Sequence, residues 1–160
     1  MPAVILAGLP GTGKSTLAAA LAERLNGHVL NKDVIRHAIF GPAQVHYSSD
    51  QDDLIQQFMV AAAAFLWQTN PNLWILFDGR TFSKAAHRKA IPPHHTILCT
   101  APESSIRERL MQPHLAANRT WQLYEQVREQ FEPIVEPHLI LDTSRPLHAN
   151  LELALSYLTK

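Results

Sequence analysis

The residues best suited to chemistry lie near the start of the chain, in the segment Gly8-Leu9-Pro10-Gly11-Thr12-Gly13-Lys14-Ser15-Thr16. It fits the pattern G-x-x-x-x-G-K-[ST], in which backbone N–H groups and the start of the next helix surround the phosphates of a nucleoside triphosphate. Lys14 of such a loop reaches the β- and γ-phosphates, and the Ser15 hydroxyl is a ligand for Mg²⁺. We therefore predict a nucleotide-binding loop made of Gly8, Pro10, Gly11, Thr12, Gly13, Lys14, Ser15 and Thr16.

The residues on either side of this loop predict the two elements that must hold it. Residues 3–7 form an apolar run typical of a buried strand, and Leu17, Leu21 and Leu25 repeat at the spacing of one helix face. A glycine-rich turn with an incidental lysine is the alternative interpretation. The order of strand, loop and helix favours nucleotide binding.

Two aspartates follow later predicted strands. Asp78 ends the apolar run 74–77 and matches a Walker B acid that holds Mg²⁺ directly or through water, the alternative being a turn or helix-capping role. Asp33 follows the short predicted strand 28–30 and is our candidate for the base that receives the proton of an acceptor hydroxyl. Its alternative role is the N-cap of a helix that begins at Val34. Because ligands gather beyond the carboxyl ends of parallel strands, we expect both acids beside the phosphate loop.

Arginines supply two further sets of candidates. Arg36 lies one helical turn after Asp33 and could bind a phosphate, sulfate or carboxylate of the acceptor; a surface ion pair with Asp33 is the alternative. Arg109 and Arg119 stand at either end of a predicted lid at residues 112–119. An arginine from a closing lid can stabilise the charge of the transition state, and we prefer Arg109 with Arg119 second. The alternative is solvated charge on a helix face.

Predicted strands and helices alternate along the whole chain. The apolar runs typical of strands are 3–7, 28–30, 73–77, 96–99 and 139–141. Thr100 and Glu103 have the spacing of a capping box and predict a helix start there. The alternation predicts an α/β fold with a parallel sheet covered by helices on both faces. We expect residues 1–160 to form a single domain.

Composition limits the class of partner. The chain has 160 residues with 14 basic and 14 acidic side chains, so its net charge is zero with histidine neutral. A dedicated nucleic-acid binder usually carries a basic excess, so we expect no strong general affinity for nucleic acid. No apolar run reaches transmembrane length, and we expect no membrane association. No exposed heptad seam or symmetric patch can be read from the sequence, so the oligomeric state stays open.

Cysteine and histidine usage bears on location and on metals. Cys99 is the single cysteine and lies in an apolar run, which predicts an inert buried thiol and fits a reducing cytoplasm. The N-terminal apolar run is too short for a signal peptide and leads straight into the loop. The nine histidines show no Cys/His pair at zinc-ligand spacing and are interpreted as ordinary surface or core residues.

With these residues in place, the chain resembles the small adenylate-kinase-like P-loop kinases with an AAA-type ATP-binding domain. The nearest branch holds polynucleotide 5′-kinases, zeta-toxin-like kinases and chloramphenicol phosphotransferase. The matching segments are 8–16, 33–36, 45–48, 75–83 with Arg88, 101–103, 107–110, 120–125 through 131–133, and 142–144. The resemblance implies a three-layer fold with a five-stranded sheet of order 2-3-1-4-5 and ATP as the donor. It also implies Asp33 as the base and Arg36, with Arg80, as acceptor contacts.

One departure from the family pattern concerns the lid. The family often has an arginine three residues after the one matching Arg109 and a serine–acid pair before the next helix, where this chain has Gln112 and Asn118-Arg119. Which arginine serves the lid therefore stays open. The predicted function is an ATP- and Mg²⁺-dependent kinase acting on a hydroxyl of a small molecule or a nucleic-acid 5′ end. The alternatives are an ATP-binding switch or ATPase that works through a protein partner and, from residues 30–37, adenylylsulfate as the acceptor.

Overall fold

The computed structural model describes residues 1–159 and is built on one five-stranded, all-parallel sheet in the order β2-β3-β1-β4-β5. The strands are β1 (Ala3–Ala7), β2 (His28–Asn31), β3 (Ile75–Asp78), β4 (His95–Thr100) and β5 (Leu139–Asp142). The predicted α/β class and the implied order 2-3-1-4-5 are confirmed. The bounds of β1 are as predicted, and those of the other four strands differ from the prediction by one or two residues.

Helices connect the strands. They are α1 (Lys14–Leu25), α2 (Lys32–Phe40), α3 (Ser49–Thr69), α4 (Ala85–Lys89), α5 (Glu103–Leu110), α6 (Trp121–Gln130) and α7 (Leu147–Leu158). Two short 3₁₀ turns at Pro42–Gln44 and Arg80–Ser83 complete the set. Among residues 1–159, none of these helices combines the length and apolar character needed to cross a membrane.

The core lies on both faces of the sheet, as expected of parallel strands covered by helices. Every side chain of β1, which lies between β3 and β4, is buried because helices cover both faces of the sheet at this strand. On one face, the strands pack against Ile55, Met59 and Trp67 of α3. On the other face, they pack against α1 and α7. Cys99 is buried in this second layer, and burial raises the pKa of its thiol to about 12, so the expectation of a buried thiol is confirmed.

One predicted helix start is wrong. Thr100 is the last residue of β4, and its hydroxyl donates a hydrogen bond to the Leu141 carbonyl at 3.2 Å. α5 begins at Glu103 after Pro102, without a side-chain cap. The capping-box spacing therefore does not mark a cap here, because the threonine is used to join two neighbouring strands.

The register of the strands determines where the polar residues meet. Asn31 at the end of β2 is paired with Asp78 at the end of β3, and Leu6 of β1 is paired with the same aspartate. The carboxyl ends of three neighbouring strands therefore lie side by side. The phosphate loop, the start of α2 and the turn after β3 all leave from this edge.

Candidate active site

The phosphate loop joins β1 to α1 and has the backbone that its glycines permit. Gly8, Gly11 and Gly13 all have positive φ, and Gly13 is the N-cap of α1 in the left-handed region. L-residues other than glycine rarely adopt these angles. The loop therefore requires glycine at these positions, and its backbone leads directly into a helix N-terminus, which attracts anions.

Lys14 is packed against the loop it serves. Its Nζ donates hydrogen bonds to the carbonyls of Gly8 at 2.9 Å and Leu9 at 2.8 Å. Burial lowers the pKa of Lys14, and the negative charge of Asp78 partly opposes this shift. The side chain lines the cleft next to the loop, where a buried ammonium group can interact strongly with phosphate oxygens.

The cleft beside the loop is a cavity of about 190 Å³. It is bounded by the phosphate loop, the ends of β2 and β3, and the segment between α5 and α6. Six of the residues singled out from the sequence for catalysis, metal, acceptor or lid roles line it: Lys14, Ser15, Asp33, Asp78, Arg80 and Arg119. Two others do not, since Arg36 is buried behind the cleft and Arg109 lines a neighbouring cavity.

Asp78 has the position and surroundings of a metal-holding acid. It is buried at the end of β3, where the side-chain amide of Asn31 donates a hydrogen bond to its Oδ2 at 2.7 Å. Burial raises the pKa of Asp78, and the charge of Lys14 together with hydrogen bonding from Ser15 and Asn31 partly opposes this. Ser15, at the first turn of α1, is exposed to the cleft.

These two side chains fit Mg²⁺ better than a transition metal. Among residues 1–159, no group of three or more His, Cys, Asp or Glu side chains could hold a metal ion alone. Mg²⁺ typically takes one or two protein oxygens and completes its shell with substrate phosphates and water. A hydroxyl and a carboxylate beside a phosphate loop match this requirement.

Asp33 lies in the first turn of α2 with its carboxylate facing the cleft. α2 begins at Lys32, and its N-cap is Asn31, whose Oδ1 accepts a hydrogen bond from the Val34 N–H at 3.0 Å. The alternative role of Asp33 as N-cap is therefore wrong. The carboxylate remains available to the cleft, with one long contact of 3.4 Å to the guanidinium of Arg36.

Behind Asp33 lies a buried charge cluster that the sequence did not reveal. We define the cation cluster as Lys32, Arg36 and Arg80 around the single carboxylate of Asp52. Lys32 Nζ lies 2.6 Å from Asp52 Oδ1, Arg36 also pairs with Oδ1, and Arg80 lies 3.4 Å from Oδ2. Lys32 and Arg36 are almost fully buried, while Arg80 reaches the cleft. The alternative of a surface ion pair between Arg36 and Asp33 is therefore wrong in its location, since Arg36 is buried, although the pair itself is present at 3.4 Å.

The cation cluster shifts two pKa values. Burial lowers the pKa of Lys32 to about 8, although Asp52 opposes the shift. Burial alone would raise the pKa of Asp52, but the neighbouring Lys32, Arg80 and Arg36 outweigh this effect and lower it. Asp52 is not among the residues singled out from the sequence. A signal was available, since Asp52 lies three and seven residues before the core residues Ile55 and Met59 and so shares their face.

Arg109 ties the phosphate loop to the end of β5. Its guanidinium donates to the Gly11 carbonyl at 3.2 Å, to the Thr143 hydroxyl at 2.9 Å and to the Thr143 carbonyl at 2.9 Å. Arg119 in turn donates to the Arg109 carbonyl at 2.9 Å. The two candidate lid arginines are thus connected, with Arg109 against the loop and Arg119 facing the cleft.

A second cavity of about 390 Å³ continues the cleft along α1. Gly13, Thr16, His114 and Arg119 line both cavities, so the two form one elongated site. His114 was interpreted as an ordinary histidine, yet it lies at the junction. Its Nδ1 accepts a hydrogen bond from the Ala116 N–H at 3.0 Å, so the neutral ring carries its proton on Nε2. No sequence signal distinguished this histidine from the other eight.

Comparison with known families agrees with this geometry. Residues 4–137 match the model of the family described as AAA domain. This match spans most of the chain, and the chain belongs to that family. A comparison with curated protein sequences gives no match.

Several solved structures with the same fold are described as kinases. A sugar kinase from Janibacter sp. HTCC2649 is 16% identical with a TM-score of 0.75, over 99% of this chain and 95% of the other. The APS kinase CysC of Mycobacterium tuberculosis, in complex with AMPPNP and APS, is 18% identical with a TM-score of 0.73, over 99% and 98%. A gluconokinase from Sinorhizobium meliloti 1021 is 18% identical with a TM-score of 0.68, over 99% and 91%. The chain therefore has the P-loop kinase fold.

Proposed function

We propose that this member of the AAA domain family is an ATP- and Mg²⁺-dependent kinase that transfers the γ-phosphoryl group to a hydroxyl of a small molecule or a nucleic-acid 5′ end. One observation carries the proposal: a single cleft holds the phosphate-loop lysine and the β3 aspartate together with a second carboxylate, that of Asp33, and an arginine. A nucleotide-binding switch needs the first pair only. A kinase also needs groups for the acceptor.

The donor half of the site consists of the phosphate loop and the second cavity. We assign the β- and γ-phosphates to the loop N–H groups and Lys14, and the nucleoside to the cavity along α1 that adjoins Gly13 and Thr16. Ser15 and Asp78 would hold Mg²⁺. When bound, this ion would neutralise charge on the β- and γ-phosphate oxygens.

The acceptor half is organised around Asp33 and Arg80. The acceptor hydroxyl oxygen attacks the γ-phosphorus as the bond to the β–γ bridging oxygen breaks, and ADP leaves with that electron pair. Asp33 receives the hydroxyl proton. Arg80 contacts the acceptor, while Arg36, buried behind it, holds Asp33 and Asp52 in place.

Residues 112–119 serve as the lid in this proposal. Arg109 already binds the Gly11 carbonyl and Thr143, whereas Arg119 lines both cavities. We therefore assign the transition-state contact to Arg119 and a positioning role to Arg109, which reverses the preference taken from the sequence. Arg119 is anchored through the Arg109 carbonyl, so the two act together.

The cation cluster favours an acceptor with an anionic group. Three cations share the carboxylate of Asp52, and Arg80 has the longest contact to it and the only access to the cleft within the cluster. A carboxylate, phosphate or sulfate on the acceptor would complete the pairing of Arg80.

We also propose that residues 1–160 form one domain and that the protein is located in the cytoplasm.

The test is a transfer assay with γ-labelled ATP and Mg²⁺. Acceptors are supplied as separate pools: nucleosides, RNA and DNA with 5′ hydroxyls, neutral sugars, sugar acids and adenylylsulfate. We expect label in one pool that contains an anionic acceptor, and no label with Lys14→Ala. Asp33→Asn should reduce transfer at least about 100-fold while ATP affinity stays within about twofold.

The matched control is Asp50→Asn, an exposed acid at the start of α3, which should leave transfer unchanged. Label released only as free phosphate from every pool, at a rate that Asp33→Asn does not alter, would contradict the kinase proposal. That outcome would support an ATPase or switch that acts through a protein partner.

A further inference from the structure

The outer face of α3 carries an unpartnered apolar stripe. The opposite face of this helix packs on the sheet through Ile55, Met59 and Trp67. On the outer face, Leu54 is 51% exposed, Phe58 49% and Phe65 65%, and Ala61 between them is also exposed. Isolated exposed apolar residues are ordinary on a protein surface, but a continuous row along one helix marks an interaction surface.

The spacing of this stripe is that of a helix-pairing seam. Leu54, Phe58, Ala61 and Phe65 follow one another at intervals of four, three and four residues, as the a and d positions of a heptad do. The sequence alone hides the seam because almost every residue from 54 to 67 is apolar, and only burial separates the core face from the outer one. A surface of this spacing fits another helix.

The seam is also free of charge. From Leu54 to Thr69 the helix has no acidic or basic residue, so nothing on this face would select a charged partner. Asp50 and Asp53 are confined to the first turns of the helix. A partner helix must therefore present an apolar face to α3. Its own acidic residues must lie away from the acidic N-terminal end of α3.

We propose that α3 pairs with α3 of a second copy in an antiparallel, two-fold arrangement. With the axis between Met59 and Val60, Phe58 of each copy lies against Ala61 of the other, and Phe65 lies against Leu54. Each phenylalanine thus meets a smaller side chain, which is the complementarity that close packing needs. The same surface serves both copies, as a two-fold interface requires.

The antiparallel direction follows from charge and size. A parallel pair would set Asp50 and Asp53 of both copies beside one another, in addition to two helix N-termini. It would also oppose Phe58 to Phe58 and Ala61 to Ala61, which crowds one layer and leaves a gap in the next. The antiparallel pair separates the acids by the length of the helix and removes the mismatch.

The size of the seam predicts a weak dimer. Its exposed apolar side chains amount to roughly 400 Å² per copy, about half of the ~800 Å² that each partner buries in a standard interface. We therefore expect a micromolar dissociation constant. The inference does not depend on the kinase proposal, because the seam lies on the outer surface, away from the cleft residues.

Sedimentation velocity over a concentration series tests the dimer. The mass should rise from 17.9 kDa at low concentration toward twice that value well above about 10 µM. Phe58→Gln with Phe65→Gln should weaken association at least tenfold with unchanged circular dichroism. Val135→Gln, a matched exposed apolar residue outside α3, should associate like wild type. A constant monomer mass, or a dimer that the double substitution leaves unchanged, would overturn the proposal.

Disulfide trapping tests the register. A mixture of Phe58→Cys and Ala61→Cys proteins should cross-link faster on oxidation than either protein alone, because the antiparallel pair sets these positions opposite each other. Cys99 is buried and does not compete. Faster cross-linking of each variant with itself would overturn the antiparallel register.

Discussion

The two ends of the cleft are built in opposite ways. At the phosphate end, the contacts are local: Thr12 bonds to the Leu9 carbonyl, and Lys14 to the carbonyls of Gly8 and Leu9, all within six residues. At the acceptor end, the cation cluster joins α2, α3 and the turn after β3 across 48 positions, from Lys32 to Arg80. A short sequence pattern can specify the first, but only tertiary packing assembles the second.

The two ends also differ in how they handle charge. The loop presents backbone N–H groups and one lysine, so its binding capacity depends on backbone shape. The cluster holds three cations around Asp52. In this buried, low-dielectric environment, the loss of an ion-pair partner costs much more free energy than it would at the surface. Damage to the loop should therefore reduce ligand binding, whereas damage to the cluster should reduce stability.

The largest effect should come from Asp52→Asn. The substitution keeps the shape of the side chain but leaves Lys32 buried without its counter-ion and Arg36 with only the 3.4 Å contact to Asp33. Removing one partner of a buried pair costs about 3 to 5 kcal/mol. Urea denaturation should show a loss of that order in the free energy of unfolding.

The neighbouring residue supplies the control. Asp53 is exposed and pairs with His87 at 2.8 Å. Surface pairs contribute about 0 to 1 kcal/mol, so Asp53→Asn should lower the free energy of unfolding by no more than that. Equal losses for the two substitutions would mean that the cluster does not hold α2 against α3 electrostatically.

The pH dependence of the free energy of unfolding should distinguish the buried Lys32 of the cation cluster from an exposed lysine. Burial lowers the pKa of Lys32 from 10.5 to about 8, so between these values the unfolded chain binds more protons than the folded one. The free energy of unfolding should then rise with pH, by about 3 kcal/mol in total across that window from this group. Below pH 8 the contribution of Lys32 is constant.

Lys32→Met should remove this rise, as measured by urea denaturation at several pH values between 8 and 10.5. Burial also lowers the pKa of Lys14, but that residue is present in both proteins and its effect cancels. Lys84→Met, which changes an exposed lysine, serves as the control. Parallel profiles for wild type and Lys32→Met would contradict a depressed pKa at Lys32.

Sequence reasoning succeeded where structure is set locally. The glycine pattern located the phosphate loop because positive φ at Gly8, Gly11 and Gly13 is a property of those residues themselves. Apolar runs located all five strands, most clearly β1 and β3, which are buried along their whole length and apolar except for the terminal Asp78. Asp33 and Asp78 were placed at one edge because carboxyl ends of parallel strands coincide.

Sequence reasoning failed where the role of a side chain depends on residues that are distant along the chain. The i, i+3 spacing placed Arg36 near Asp33 but could not show that α3 covers it and pairs it with Asp52. Asp52 stands among other acidic residues in the first turn of α3, which is typical of a solvated helix start, although its spacing to core residues indicates burial. His114 has no local signal at all, since its role depends on where the segment before α6 folds over the cleft.

Apart from the control substitutions, the smallest effect on stability should come from a pair of glycine substitutions, which also separate the two ends of the cleft most clearly. Gly13 and Gly41 both have positive φ, at 77° and 66°. Gly13 lies in the left-handed region, while Gly41, with a ψ of 171°, lies in a region that is essentially restricted to glycine. An alanine at either site incurs backbone strain of about 1 to 3 kcal/mol. The Cβ at Gly41 would meet no atom within 4 Å, whereas the Cβ at Gly13 would lie 3.2 Å from the Thr143 hydroxyl and 3.4 Å from the Arg109 guanidinium.

Gly13→Ala should therefore lose ATP affinity by at least tenfold in isothermal titration, because it disturbs both the start of α1 and the Arg109–Thr143 contact that supports the loop. Gly41→Ala should lose at least as much stability but keep wild-type affinity, since its backbone strain lies at the end of α2, outside the residues that line the cleft. If both variants bound ATP equally, backbone shape would not govern the phosphate end. The contrast with the acceptor end, where side-chain charge governs, would then no longer hold.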